Sequence, residues 1–291
     1  MKYKFLPLLV LFAGCQQQTE YVSEPYSVVD ETYVHKYGFE VSPDEWQNRG
    51  EHGQKITTLK NGVTVTRSYK FGDLDGETTY TYPYSSAIQK SEKYVEGKLA
   101  SEINFSQSGV PLNKKEYEGK TFITTVWYAG GQPQAIEEYE GDSLVQGTYY
   151  SPQGAIESKV TDGVGERFNR GPQSELISKD TIAAGHLFER TIPWPNGHPK
   201  EIADYHQNVL HGHRRIFEEG GEPVADEIWQ NGLQNGNTIL YVNGEKFAEV
   251  PYRNGVKSGV EKRYKDGKQL FEEVTWLDGA EQASRNFLDK R

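Results

Sequence analysis

Glycine returns to this chain at a fixed interval, and that interval constrains the fold more than any other feature. One register runs Gly197, Gly221, Gly244 and Gly267, in steps of 23 or 24 residues. A second runs Gly97, Gly119, Gly141, Gly163, Gly185, Asn208, Gly232, Gly255 and Gly279, in steps of 22 to 24. Asn208 stands in for glycine because Asn often tolerates the left-handed backbone that glycine supplies elsewhere. Many of these glycines follow Asn or Asp, as in Asn196-Gly197, Asn231-Gly232 and Asp278-Gly279, pairs that suit the primed turns joining antiparallel strands. Aromatic rings sit midway between the turns. Tyr205, Phe217, Trp229, Tyr241, Tyr252, Tyr264 and Trp276 recur every 11–12 residues.

A period near 23 with a tight turn after each half means a tandem array of β-hairpins. The segments between turns alternate Tyr, Trp, Thr and Val with Glu, Lys and Arg, and no helical period runs through them. The expected fold is all-β: an elongated single-layer antiparallel meander of roughly 18–20 strands, roughly 90 Å long at ~4.8 Å per strand. A single layer buries little, so the aromatics are expected to stack into a stripe from hairpin to hairpin. The 36 aromatic residues, 19 of them Tyr, argue against wholesale disorder.

The first 15 residues, MKYKFLPLLVLFAGC, have a different character. Lys2 and Lys4 form a positive start, Phe5 to Phe12 an apolar stretch of eight, and Ala13-Gly14 a small-residue cleavage site. This is a secretory signal too short to span a bilayer. The residues Leu11-Phe12-Ala13-Gly14-Cys15 resemble a bacterial lipobox. The resemblance implies removal of residues 1–14 and lipidation of Cys15 by diacylglycerol and an amide-linked acyl chain such as palmitate. Gln16 in place of Asp implies sorting to the outer membrane. Several acyl chains anchor a protein without any membrane-spanning segment. Loss of Lys2 and Lys4 leaves a body two charges more negative than the −10 of the whole chain. Such a body stands off an acidic membrane surface. With one Cys in the chain, an intrachain disulfide and a Cys-based zinc finger are excluded.

Residues 15–41 lack sustained periodicity and read as a flexible tether. Residues 42–54 read as a short helical cap. Ser42 is placed to N-cap a helix over Pro43–Arg49, with Pro43 at its first position and Glu45 completing a capping box. Trp46 is expected to pack on the first strands of the array, which spans 55–283 and leaves a tail at 284–291.

The repeat resembles the variant MORN repeats of bacterial proteins, some of them antitoxin-like. The clearest copy is Tyr252-Arg-Asn-Gly255-Val-Lys-Ser-Gly259 running on to Tyr264, Asp266-Gly267 and Glu272. Gly232 with Gly236 and Gly72 with Gly76 repeat the same four-residue spacing. The resemblance is specific over 190–283 and worn over 155–190, where Gly171 falls out of register. It implies either a protein-interaction scaffold or an antitoxin- or immunity-like protein that neutralises a cognate toxin.

Motifs for chemistry are sparse. The chain has no Gly-x-Ser-x-Gly elbow, His-Glu-x-x-His pair or EF-hand loop, and Gly119-Lys120-Thr121 lacks the glycine a P-loop needs five residues earlier. His206, His211 and His213, near Glu201 and Asp204, are the best candidates for a metal site or an envelope enzyme, and a solvated hairpin explains them more simply. The carboxylates, such as Glu137-Glu138 and Glu272-Glu273, are expected on the polar face. With a pI near 5.3, the chain lacks the basic footprint of a nucleic-acid binder. The expectation is a non-enzymatic, cofactor-free lipoprotein of the bacterial envelope with a protein partner.

Overall fold

The computed structural model describes residues 27–287; the expected signal segment, Cys15 and residues 288–291 lie outside them. The described residues form 25 strand segments and one short helix, Pro43–Asn48. All the strands belong to one sheet, every pairing is antiparallel, and nearly all join strands that follow one another along the chain. The sheet is open, its first strand Val28–His35 and its last, Ala280–Asn286, lying at opposite ends. The all-β meander expected from the repeat is what forms.

The strands exceed the expected number for two reasons. Leu233–Gln234 and Gly236–Val242 are one strand interrupted at Asn235, since both pair with Pro223–Gln230. Val256–Lys257 and Gly259–Lys265 repeat the arrangement against Glu245–Arg253. The array also starts earlier than expected. Instead of a tether, residues 28–35 pair with Gly53–Leu59 along nearly their whole length, and Glu40–Val41 folds back onto Tyr33 and Val34. Alternation there is obscured by charged residues, while Val28, Thr32 and Val34 supply the β-branched content of a strand. The last strand, Ala280–Asn286, likewise runs into the tail expected from residue 284.

The helix forms where expected. Ser42 Oγ accepts from the Glu45 N–H, Glu45 returns a bond to the Ser42 N–H, and Pro43 opens the helix. Trp46 is buried against Tyr33 and Tyr69, rings 5.6 and 6.2 Å away, so six helical residues hold an early hairpin to the first strand. Replacing Ser42 with Ala is expected to cost about 1 kcal/mol, read as a lower urea midpoint for the quenching of Trp46.

The two glycine registers lie on opposite edges of the sheet. Along the edge of Gly97, Gly185, Gly232, Gly255 and Gly279, both central turn residues are left-handed, including Glu96, Ala184 and Asn231. These are the primed turns expected from Asn-Gly. On the other edge, Gly109, Gly131, Gly154, Gly197 and Gly221 are each the single left-handed residue of a longer loop, closed by bonds such as Glu218 N–H to Glu222 C=O. Asn196-Gly197 therefore belongs to this wider turn. Near the worn repeat, Ser174 supplies the left-handed residue that the displaced Gly171 does not.

One stretch departs from a flat meander. Ile156–Thr161 pairs with Val164–Arg170 only at Val160↔Gly165 and Thr161↔Val164, and beyond the turn the two strands part. Three turns on one edge draw together: Gly163 N–H donates to Val145, Gly185 N–H to Gly163, and Leu144 N–H to Gly185. Gln134 reaches the Arg170 carbonyl at 2.7 Å, although their strands are three apart, about 14 Å in a flat sheet. The sheet folds over itself here, and its largest buried cluster forms inside the fold: Leu144, Tyr149, Val160, Ile182 and Leu187.

Candidate functional site on the aromatic face

The alternation of the strands places Tyr205, Trp229, Tyr252 and Trp276 on one edge and Phe217, Tyr241 and Tyr264 on the other. Each ring precedes a turn of its own edge. The expected single stripe is thus two rows. Nor do the rings of a row stack on one another. Equivalent residues are two strands apart, about 9.6 Å, beyond the 4.5–7 Å of aromatic pairs.

Glycines and cations interleave instead. Trp229, Tyr252 and Trp276 each lie directly across from a glycine, Gly212, Gly236 and Gly259. The second glycine of the four-residue spacing thereby clears room for a ring. Lys257 covers Trp276, Lys246 covers Tyr264, and Arg190 lies over Tyr205.

Between the rows, carboxylates that were expected on the solvated face point onto the aromatic face. Arg167, Asp180, Arg190, Ala203, Arg214 and Glu227 are consecutive cross-strand partners. Arg214 bridges Glu201 at 2.7 Å and Glu227 at 3.1 Å, and Trp229 donates to Glu227. Glu261 is buried beneath Lys257, Arg263 and Trp276. Burial pushes its carboxyl up, but the Lys257 and Arg263 hydrogen bonds outweigh this and hold it below the usual range. Glu272 binds Arg263, and Glu137 accepts from Tyr139 and Tyr149. Alternation put one member of each Glu-Glu pair on each face. Composition alone does not say which.

The densest point is the corner. The Asp180 side chain is fully buried and takes bonds from Arg190 (2.7 and 2.8 Å), Arg167 (2.7 and 3.1 Å), Asn169 and Ser178. Burial alone would raise its pKa; the two guanidiniums more than offset that and hold the carboxyl below its ordinary range. Burial and the Glu137 charge push the Tyr149 and Tyr139 hydroxyls up, so both remain protonated donors. A recess of about 280 Å³ opens between Tyr139, Arg167, Arg190 and Tyr205. Its guanidiniums are already bound by Asp180, so it offers a ligand ring faces and hydrogen-bond donors rather than free charge.

The histidines do not converge. The His206 and His211 rings are 5.9 Å apart, while the His213 ring pairs with Asp226 at 2.8 Å and its backbone N–H donates to the Asp204 carboxylate. Among the described residues no group of three or more His, Cys, Asp or Glu is placed to hold a metal ion. Asp180, Arg167 and Arg190 escaped notice in the sequence. Their one signal is a charged residue at the middle of successive strands, spaced 10 to 13 apart, visible only once the turns set the register.

No protein-family model matches the chain, and no curated protein is significantly similar to it. Solved structures to which it is similar include a porin-like protein from Bacteroides uniformis, at 12% identity over 89% of this chain and 94% of that one, with a TM-score of 0.16. A likeness at that score informs neither fold nor function.

Proposed function

We propose that this chain is a lipid-anchored protein of the bacterial envelope whose open β-hairpin sheet is a protein-interaction scaffold. The observation that carries the reading is the free end of the sheet. Residues 280–285 of the last strand are all exposed and among the described residues pair on one side only, with Gln269–Leu277, leaving a row of backbone donors and acceptors for a partner strand. The signal segment and Cys15 supply the anchor. The acidic body, standing off the bilayer, turns the array toward other envelope proteins.

The test is the intact mass of protein taken from membranes, beside a Cys15→Ala variant. The expected mass corresponds to cleavage before Cys15 plus acyl chains, and the variant is expected to lose both the acyl mass and the membrane association. A photo-crosslinking residue at Ala283 is expected to give a discrete adduct in the envelope, and one at Lys120 on an interior turn is not. An unacylated soluble protein overturns the anchor. Equal adducts at both positions overturn the scaffold.

A further inference from the structure

The aromatic face carries a second recess, remote from the corner. A groove of about 730 Å³ crosses six neighbouring strands, from Val28 on the first to Asn104, a length of about 24 Å at the spacing of strands. Val28, Leu59, Val63, Val65 and Pro83 form apolar walls, and Arg67 stands among them.

Arg67 differs from every other arginine of this face. Arg167, Arg190, Arg214 and Arg263 each hold a carboxylate at 2.7–2.8 Å. Arg67 is flanked across the strands by Lys55 and Thr78. The nearby carboxylates are already engaged: Glu31 by Lys55 at 2.8 Å, Glu92 and Glu102 by Lys90 at 2.6 and 3.2 Å. Among the described residues nothing forms an ion pair or hydrogen bond with the Arg67 side chain; Glu31 and Tyr80 feel its charge only at longer range.

Two hydroxyls repeat the deficit. Thr57 lines the groove, is 3% exposed, and its Oγ1 has no hydrogen-bond partner. Thr78, opposite Arg67, is 1% exposed and equally unpartnered. Buried polar atoms without partners are costly, and they ask for a ligand that satisfies them.

We propose that this groove binds a long-chain fatty carboxylate, its headgroup on Arg67 and the Thr57 hydroxyl, its chain along the apolar walls. A planar guanidinium matches a carboxylate through paired hydrogen bonds. One uncompensated cation beside the Glu31 carboxylate suits a monoanion and disfavours a doubly charged phosphate. The length of the groove favours a linear chain over a compact ring, and its volume is that of a small-molecule site. The site depends on neither the lipid anchor nor the scaffold reading, and it stands or falls separately.

The test is displacement of the fluorescent fatty acid 11-(dansylamino)undecanoate from the full-length protein. Palmitate is expected to displace it saturably at one site per chain, and methyl palmitate about tenfold less well, for want of a negative charge to pair with Arg67. Arg67→Met is expected to weaken palmitate by about tenfold and to abolish the preference for acid over ester. Unchanged circular dichroism shows that the variant's sheet persists. Acid and ester displacing equally from the wild-type protein would overturn the proposal without recourse to any variant, as would palmitate binding unaltered by Arg67→Met or no displacement at all.

Discussion

Asp180→Ala is expected to destabilise the middle of the array by about 3–5 kcal/mol, the usual cost of removing one partner from a buried ion pair. The variant leaves Arg167 and Arg190 side by side in the fold of the corner, with Glu137 at 3.9 Å from Arg167 as the nearest remaining counter-charge. A repeat array need not unfold in one step. The measurement is therefore hydrogen exchange: amides of 156–193 are expected to lose protection while those of 236–277 keep it. Uniform loss along the chain, or none, would refute the special standing of the corner.

The same group sets an acid limit. Because the folded carboxyl titrates below its ordinary range, its contribution is present in full above the unfolded value near 3.9. It is lost as the pH falls through the lower, folded value. Asp180→Asn, which cannot ionise, is expected to flatten the acid side of the stability curve relative to wild type.

Gly163→Ala is expected to cost roughly 3–4 kcal/mol, whereas Gly119→Ala in the same glycine register costs about 1–2. Both residues have positive φ, +72° and +63°, so both substitutions incur left-handed strain. Only Gly163 sits in the closed edge. A Cβ there would lie 2.7 Å from the Gly185 backbone nitrogen, while at Gly119 it would meet nothing within 4 Å. The difference should appear as a drop in urea midpoint for Gly163→Ala well beyond that of Gly119→Ala. Equal drops would mean that the three turns do not close on one another in solution.

These paired substitutions mark the boundary between sequence and fold. By itself the sequence determined the β-class, the hairpin repeat, the turn on one edge and the capped helix at Ser42. Each is a local matter, decided by left-handed backbone tolerance, alternation and capping within a few residues. The sequence also marked 155–190 as worn without saying what the wear was for. The worn stretch is the corner. Val160 and Ile182 stand where other repeats carry Tyr or Trp before the turn, and they fill a core that those repeats lack.

Tertiary structure alone decided which glutamate of each pair turned inward, that the rings form two rows, and that among the described residues Arg67 has no partner while Arg167 and Arg214 do. In a meander, register is inherited from turn to turn, and a one-residue bulge flips the face of everything that follows. Bulges or irregularities interrupt the ladder at strand after strand, as at Tyr139, Ile182, Tyr205, Tyr241 and Tyr264. Period and composition therefore fix that hairpins form. The accumulated bulges, which no local pattern announces, fix what faces what.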